Sequence, residues 1–135
     1  MEQMFLIMLP GNGYKAEKLR VAKLSLSEAR SIVEKLTGEF CEGIYANLFD
    51  DNEDYVNILG GHEGKYVCTY NTLMEGSLFV YRPGCSTMSP KDERVSINES
   101  DYYPPEVIVD AETAAQLLYE FIRQGNIPDG FNWHE

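Results

Sequence analysis

From Gly43 to Tyr81 the sequence keeps a period of two, a spacing that an α-helix cannot place on one face and a β-strand can. Ile44, Ala46 and Leu48 alternate with Tyr45, Asn47 and Phe49, and the pattern resumes at Tyr55–Leu59, Lys65–Tyr70 and Ser77–Tyr81. The separators are short and rich in polar residues or glycine: Asp50-Asp51-Asn52-Glu53, Gly60-Gly61-His62-Glu63-Gly64 and Asn71 to Gly76. Connections this short cannot carry crossovers, so these strands must form an antiparallel meander. The positions alternating with the apolar ones are often Tyr, Asn or Thr, which predicts a sheet with one face toward water.

The meander is flanked by further elements. Met4–Leu9 is a continuous apolar run before Pro10-Gly11-Asn12-Gly13 and reads as a strand buried on both faces, followed by a turn. Lys18–Leu24 reads either as its hairpin partner or as the start of a helix. Ser25-x-x-Glu28 is a capping box, and Leu26, Ala29, Ile32, Val33 and Leu36 continue at helical spacing, with Gly38 expected to end the helix. A second helix is expected from Asp110, with Ala114, Leu117, Leu118, Phe121 and Ile122 on one stripe and Gly125 and Pro128 behind it. Arg82–Asp92 reads as a loop, Val95 with Ile97 as a short strand, Val107–Val109 as another, and Phe131 to Trp133 as a last strand or packing tail. One domain over residues 1–135 is expected. Its fold class is α+β, a mainly antiparallel sheet of about five to seven strands with both amphipathic helices on one face.

Charge narrows the partners. The chain has a formal net charge of −11, yet residues 1–35 hold six basic and four acidic side chains, so the remaining hundred carry net −13. No Lys or Arg falls between Lys35 and Lys65, or between Arg94 and Arg123. Such a surface repels phosphates, which argues against direct nucleic-acid binding and for a basic protein partner. Cys41, Cys68 and Cys85 lack paired spacing and fit free thiols in a reducing compartment. Met4–Leu9 is too short for a signal-peptide core, and no run approaches the ~20 apolar residues of a membrane helix. A cytoplasmic protein without membrane contact is the expectation.

The chemical motifs are weak. His62-Glu63 lacks the second helical histidine of a metalloprotease, Gly11-Asn12-Gly13 lacks the spacing of a phosphate loop, and Asp50–Asp54 lacks the periodic ligands of an EF-hand. Cys85 has only Arg82 nearby to favour its thiolate. No catalytic set, metal or cofactor is therefore expected. The candidate partner-binding residues are those where acidic and aromatic side chains cluster: Asp50, Asp51, Glu53, Asp54, His62, Glu63, Glu99, Asp101, Tyr102, Tyr103 and Glu106.

The order of features at the end of the chain narrows this further. Tyr102-Tyr103-Pro104-Pro105, the helix with Leu117-Leu118 and Glu120-Phe121, then Gly125, Pro128 and Trp133 resemble the closing segment of the Imm1 family of bacterial immunity proteins. The strand and capped helix at the start and the Gly60-Gly61 turn fit the same outline. Lys15–Lys23 and Arg82–Asp92 have no counterpart in it. The resemblance implies an antitoxin of a polymorphic toxin system used in interbacterial competition. Such a protein binds a cognate toxin domain 1:1, often a nucleic-acid deaminase or nuclease with a basic cleft, and occludes its active site. It carries over no catalytic residues, and recognition residues differ from toxin to toxin. Two other classes remain open: a small-ligand or peptide-binding module with a pocket of Tyr66, Tyr70, Phe79 and Tyr81, and a small hydrolase using His62 with Glu63 or Cys85.

Overall fold

A computed structural model describes residues 4–9, 17–38, 43–48, 54–72, 76–90, 93–98 and 101–135. Its strands are β1 (Phe5–Leu9), β2 (Glu17–Val21), β3 (Gly43–Leu48), β4 (Tyr55–Gly60), β5 (Tyr66–Thr72), β6 (Gly76–Tyr81), β7 (Val95–Ser96), β8 (Tyr102–Tyr103) and β9 (Asn132–His134). Seven of them form one antiparallel sheet in the order β2-β1-β3-β4-β5-β6-β9, and β7 pairs with β8 apart from it. The alternation from residue 43 to 81 thus becomes four neighbouring strands in sequence order. Residues 17–21 settle as the hairpin partner of β1, with Phe5 opposite Val21 and Leu9 opposite Glu17. The turn expected at Pro10–Gly13 and the acidic turn at 50–53 lie outside the described residues.

Both helices lie on one face. Helix α1 (Leu26–Val33) has its capping box in place: Ser25 Oγ accepts from Glu28 N and Glu28 Oε1 accepts from Ser25 N, each at 3.0 Å. Helix α2 (Ala111–Gln124) is capped by Asp110, whose Oδ1 accepts from Thr113 N at 2.8 Å, and closed by Gly125 at φ 79°. The core between helices and sheet holds Phe5, Ile7, Ile44, Val56, Ile58, Leu117, Leu118 and Phe121, all essentially inaccessible. Each such side chain contributes about 1.5–3 kcal/mol by leaving water. Phe121 is the hub, meeting Phe5 edge-on at 5.5 Å and Tyr70 at 6.2 Å. Trp133 packs edge-on against Tyr70 at 6.2 Å and donates its indole N–H to Pro128 O.

Three expectations need correction. Helix α1 stops at Val33 with Glu34 as its C-cap, short of Leu36 and Gly38, and Leu26 at the head of the apolar stripe is 42% exposed. Leu36 is still buried, because the chain after the helix folds back over the sheet end. Residues 107–109 are not a strand: Pro105–Val107 form a 3₁₀ turn, and Val109 makes a single bridge to Tyr66. Pro104-Pro105 fix the backbone for the turn, and that outweighs the β-preference of Val-Ile-Val. Finally, the second sheet face is not simply wet. The β7–β8 ribbon, with the 3₁₀ turn, covers part of it and buries Val67, Tyr81, Ile97, Val107 and Ile108 in a second cluster. Tyr45, Asn71 and Ser77 occupy the uncovered part.

Among the described residues no helix is long and apolar enough to cross a membrane.

Candidate functional site

The β4–β5 turn is built from residues that accept unusual backbone angles. Gly60, Gly61 and Gly64 have φ of +121°, +110° and +71°, and Glu63 at φ 54° is the one non-glycine residue with positive φ among those described. The turn closes on itself through Gly61 N to Lys65 O at 2.8 Å and Lys65 N to His62 O at 3.1 Å. It is also clamped from two sides. A Cβ on Gly61 would lie 2.4 Å from Leu36 O, and one on Gly38 would lie 2.8 Å from His62 N, so the turn sits directly on the chain leaving α1. From the other side His62 N donates to Ile97 O at 2.9 Å. Gly38 therefore serves this close approach and does not end the helix.

The clamp leaves two side chains facing solvent. His62 and Glu63 side chains are 50% and 66% exposed. Glu63 Oε2 accepts from Lys65 Nζ at 2.9 Å, and its other oxygen lies 3.6 Å from His62 Nε2. The Lys65 hydrogen bond and charge, then the His62 charge, hold the Glu63 carboxyl below its usual range. It stays ionised and strained in the left-handed region, an arrangement common where a side chain is displayed for use.

The hydrogen bond at Ile97 brings a second candidate group beside the first. Asn98, nearly fully buried, donates to Asp101 Oδ2 at 2.8 Å and accepts from Asp101 N at 2.8 Å, and Ile97 N donates to Asp101 O. This small turn fixes Asp101 and leaves Tyr102 58% exposed, while Tyr103 folds onto Phe79 at 6.2 Å. The structure thus gathers His62, Glu63, Asp101 and Tyr102 at one end of the sheet, with Tyr103 as packing behind them. Asp54 precedes the opposite end of β4, roughly 20 Å away at the rise of an extended strand. Asp50, Asp51, Glu53 and Glu99 lie outside the described residues. Glu106 is engaged elsewhere. It accepts from the backbone N and the hydroxyl of Ser89, which holds the 82–90 loop and lowers the Glu106 pKa.

The aromatic pocket expected for a ligand-binding module is not assembled. Tyr66 and Tyr70 enter the helix-side core, Tyr81 and Phe79 belong to the opposite cluster, and the sheet separates the two pairs. Nor does a nucleophile reach His62 by hydrogen bond among the described residues. Cys85, the thiol expected to serve His62, sits in the 82–90 loop, where its N–H donates to Arg82 O and its carbonyl accepts from Asn132, and no hydrogen bond joins it to His62. Cys68 is wholly buried, and desolvation pushes its thiol up to about 12.

A feature invisible in the sequence adjoins the turn. A cleft of about 910 Å³ opens from Gly64 and Lys65 along the start of α2 to Arg82 and Phe131. Two backbone hydrogen bonds between Tyr66 and Val109, of 2.8 and 2.9 Å, pin the entrance of α2 beside β5, and Val109 lines the cleft. The only sequence trace of it is Glu112 and Gln116, four residues apart on the polar side of α2.

No protein-family model, curated protein or solved structure matches the chain.

Proposed function

We propose that the protein is an immunity protein. It binds a cognate bacterial toxin 1:1 in the cytoplasm of the producing cell and neutralises it by covering its active site. The toxin class is a nucleic-acid-targeting deaminase or nuclease. The observation that carries this reading is the clamped, outward-facing His62–Glu63 turn with Asp101 and Tyr102 beside it. A contact surface held rigid before binding loses little conformational entropy when a partner arrives. An exposed tyrosine flanked by fixed carboxylates supplies an aromatic anchor and an attraction for a basic cleft. The net charge of −11 extends that attraction to long range and should speed encounter at low salt. A specific interface of about 800 Å² on each partner would span this group of residues and the ground around it.

The decisive experiment is co-expression with the toxin domain encoded beside this gene. Restored growth and a stable 1:1 complex are the expected result. No rescue and no complex would refute the proposal.

A further inference from the structure

The cleft beside the recognition turn is unevenly charged. Lys65 on its rim is already bonded to Glu63 at 2.9 Å. Arg82 gives its Nε–H to Ile108 O at 2.9 Å, and its charge acts on the Glu106 carboxylate. Lys65 is thus paired with a carboxylate, whereas Arg82 bonds a neutral carbonyl and makes no salt bridge among the described residues. Among the other lining residues Asp110 commits one oxygen to the α2 cap and feels the Arg30 charge, while Glu112 and Gln116 have no hydrogen-bond or ionic partner among the described residues. They stand at i and i+4 on one helix face, about 6 Å apart and within reach of a single planar donor group. Lys65 and Arg82 balance Asp110 and Glu112 in the lining, and Glu63, bonded to Lys65, makes the rim of the cleft negative. Val80, Ile108 and Phe131 give it apolar walls.

We propose that this cleft is an arginine-anchoring pocket, filled in the complex by a guanidinium on a loop of the bound toxin. The source of the arginine rests on the immunity reading above; the chemistry of the pocket does not. Arginine fits better than lysine. Its planar fork can donate to the Glu112 carboxylate and the Gln116 amide oxygen together, and its weak hydration suits a partly enclosed site. Its face can stack on Phe131, with the aliphatic stem along Val80 and Ile108. A carboxylate would meet the uncompensated Glu112 and the Glu63 carboxylate already paired with Lys65.

The test uses the full chain, ¹⁵N-labelled, titrated with N-acetyl-arginine N-methylamide. Saturable shifts in the millimolar range are expected at the amides of Lys65, Glu112, Gln116 and Phe131. The norleucine analogue should not reproduce them, and the lysine analogue should bind less tightly. Glu112→Gln should weaken arginine binding about tenfold and Glu112→Lys should abolish it. Both changes are on the polar side of α2, and an unchanged melting curve will show that the fold is retained. Shifts that do not saturate, that appear equally with norleucine, or that survive Glu112→Lys overturn the pocket. A second arm uses the toxin domain. If the complex forms and Glu112→Lys leaves its affinity unchanged, the anchoring role falls. If arginine binds but no complex forms, the immunity reading and the toxin source fall while the pocket chemistry stands.

Discussion

Gly61→Ala should be among the most damaging single-methyl additions this protein can receive, and the structure says by how much. At φ +110° an alanine is strained whatever its surroundings, by about 1–3 kcal/mol. The added methyl carbon would also sit 2.4 Å from Leu36 O, 2.6 Å from Leu36 C and 2.9 Å from Gly38 N, all backbone atoms that no rotamer change can clear. Forcing such an approach costs about 1–3 kcal/mol more. The combined loss of about 2–6 kcal/mol is a large part of the roughly 5–15 kcal/mol that holds a domain folded. Gly64→Ala is the control. Gly64 lies at φ +71° with nothing within 4 Å of the added carbon, so it should lose only the conformational part, about 1–2 kcal/mol. Urea unfolding followed by Trp133 fluorescence measures both. The expected result is a midpoint for Gly61→Ala well below that of Gly64→Ala at equal slope. Equal midpoints would mean that the turn is not clamped against residues 36–38, and the argument for a rigid recognition element would fall with it.

Four further outcomes are expected. Glu63→Asn should leave stability near the native value, because Asn tolerates the left-handed region, yet slow association with the proposed toxin at low salt; an unchanged association rate would remove Glu63 from the proposed interface. Asp110→Ala should lose about 1 kcal/mol of stability at neutral pH through the missing helix cap. The Asp110 pKa is lowered, chiefly by the Thr113 backbone hydrogen bond, so its contribution is complete above the ordinary value of 3.8 and fades as pH falls through the lower folded value; a deficit constant down to strong acid contradicts this. Phe121→Ala should lose about 3–5 kcal/mol in chemical denaturation, since it removes the ring shared by Phe5 and Tyr70. Cys68, buried and with its thiol pushed up to about 12, should resist thiol reagents at pH 8 until the protein unfolds, whereas rapid labelling in the folded state would refute its burial.

Much of this architecture is legible from local chemistry. The meander follows from period-two alternation between turns too short for anything but hairpins, and α2 from a stripe bounded by Asp110 and Gly125, both of which cap it. At the end of α1 two signals conflict. Leu36 extends the helical stripe, but its burial comes from the turn after the helix, and Gly38 answers to the backbone of His62. The β7–β8 ribbon covers the part of the sheet face where Leu59, Val67, Phe79 and Tyr81 share a parity with Asn and Thr. Those apolar residues are visible in the sequence, but their cover comes from a distant part of the chain. The candidate site divides in the same way. His62, Glu63, Asp101 and Tyr102 stand out by type, yet the hydrogen bond from His62 to Ile97 that joins them depends on tertiary placement. The cleft depends on it entirely.

The strand order β2-β1-β3 also determines how the chain must assemble. The β1–β2 hairpin and the β3–β6 meander are each local and can form from neighbouring residues alone. Joining them requires β1 to find β3, with Phe5 opposite Leu48 and Ile7 opposite Ala46, across a chain separation that includes the whole of α1. Closing that long loop carries an entropic penalty that no nearby contact offsets. Joining these units across the β1–β3 seam, together with the still longer β6–β9 closure that sets Phe79 opposite His134, is therefore expected to limit the rate of folding. Substitutions in the local hairpins already formed at that step, β5–β6 among them, should slow refolding, whereas equally destabilising ones in contacts made after it should chiefly hasten unfolding.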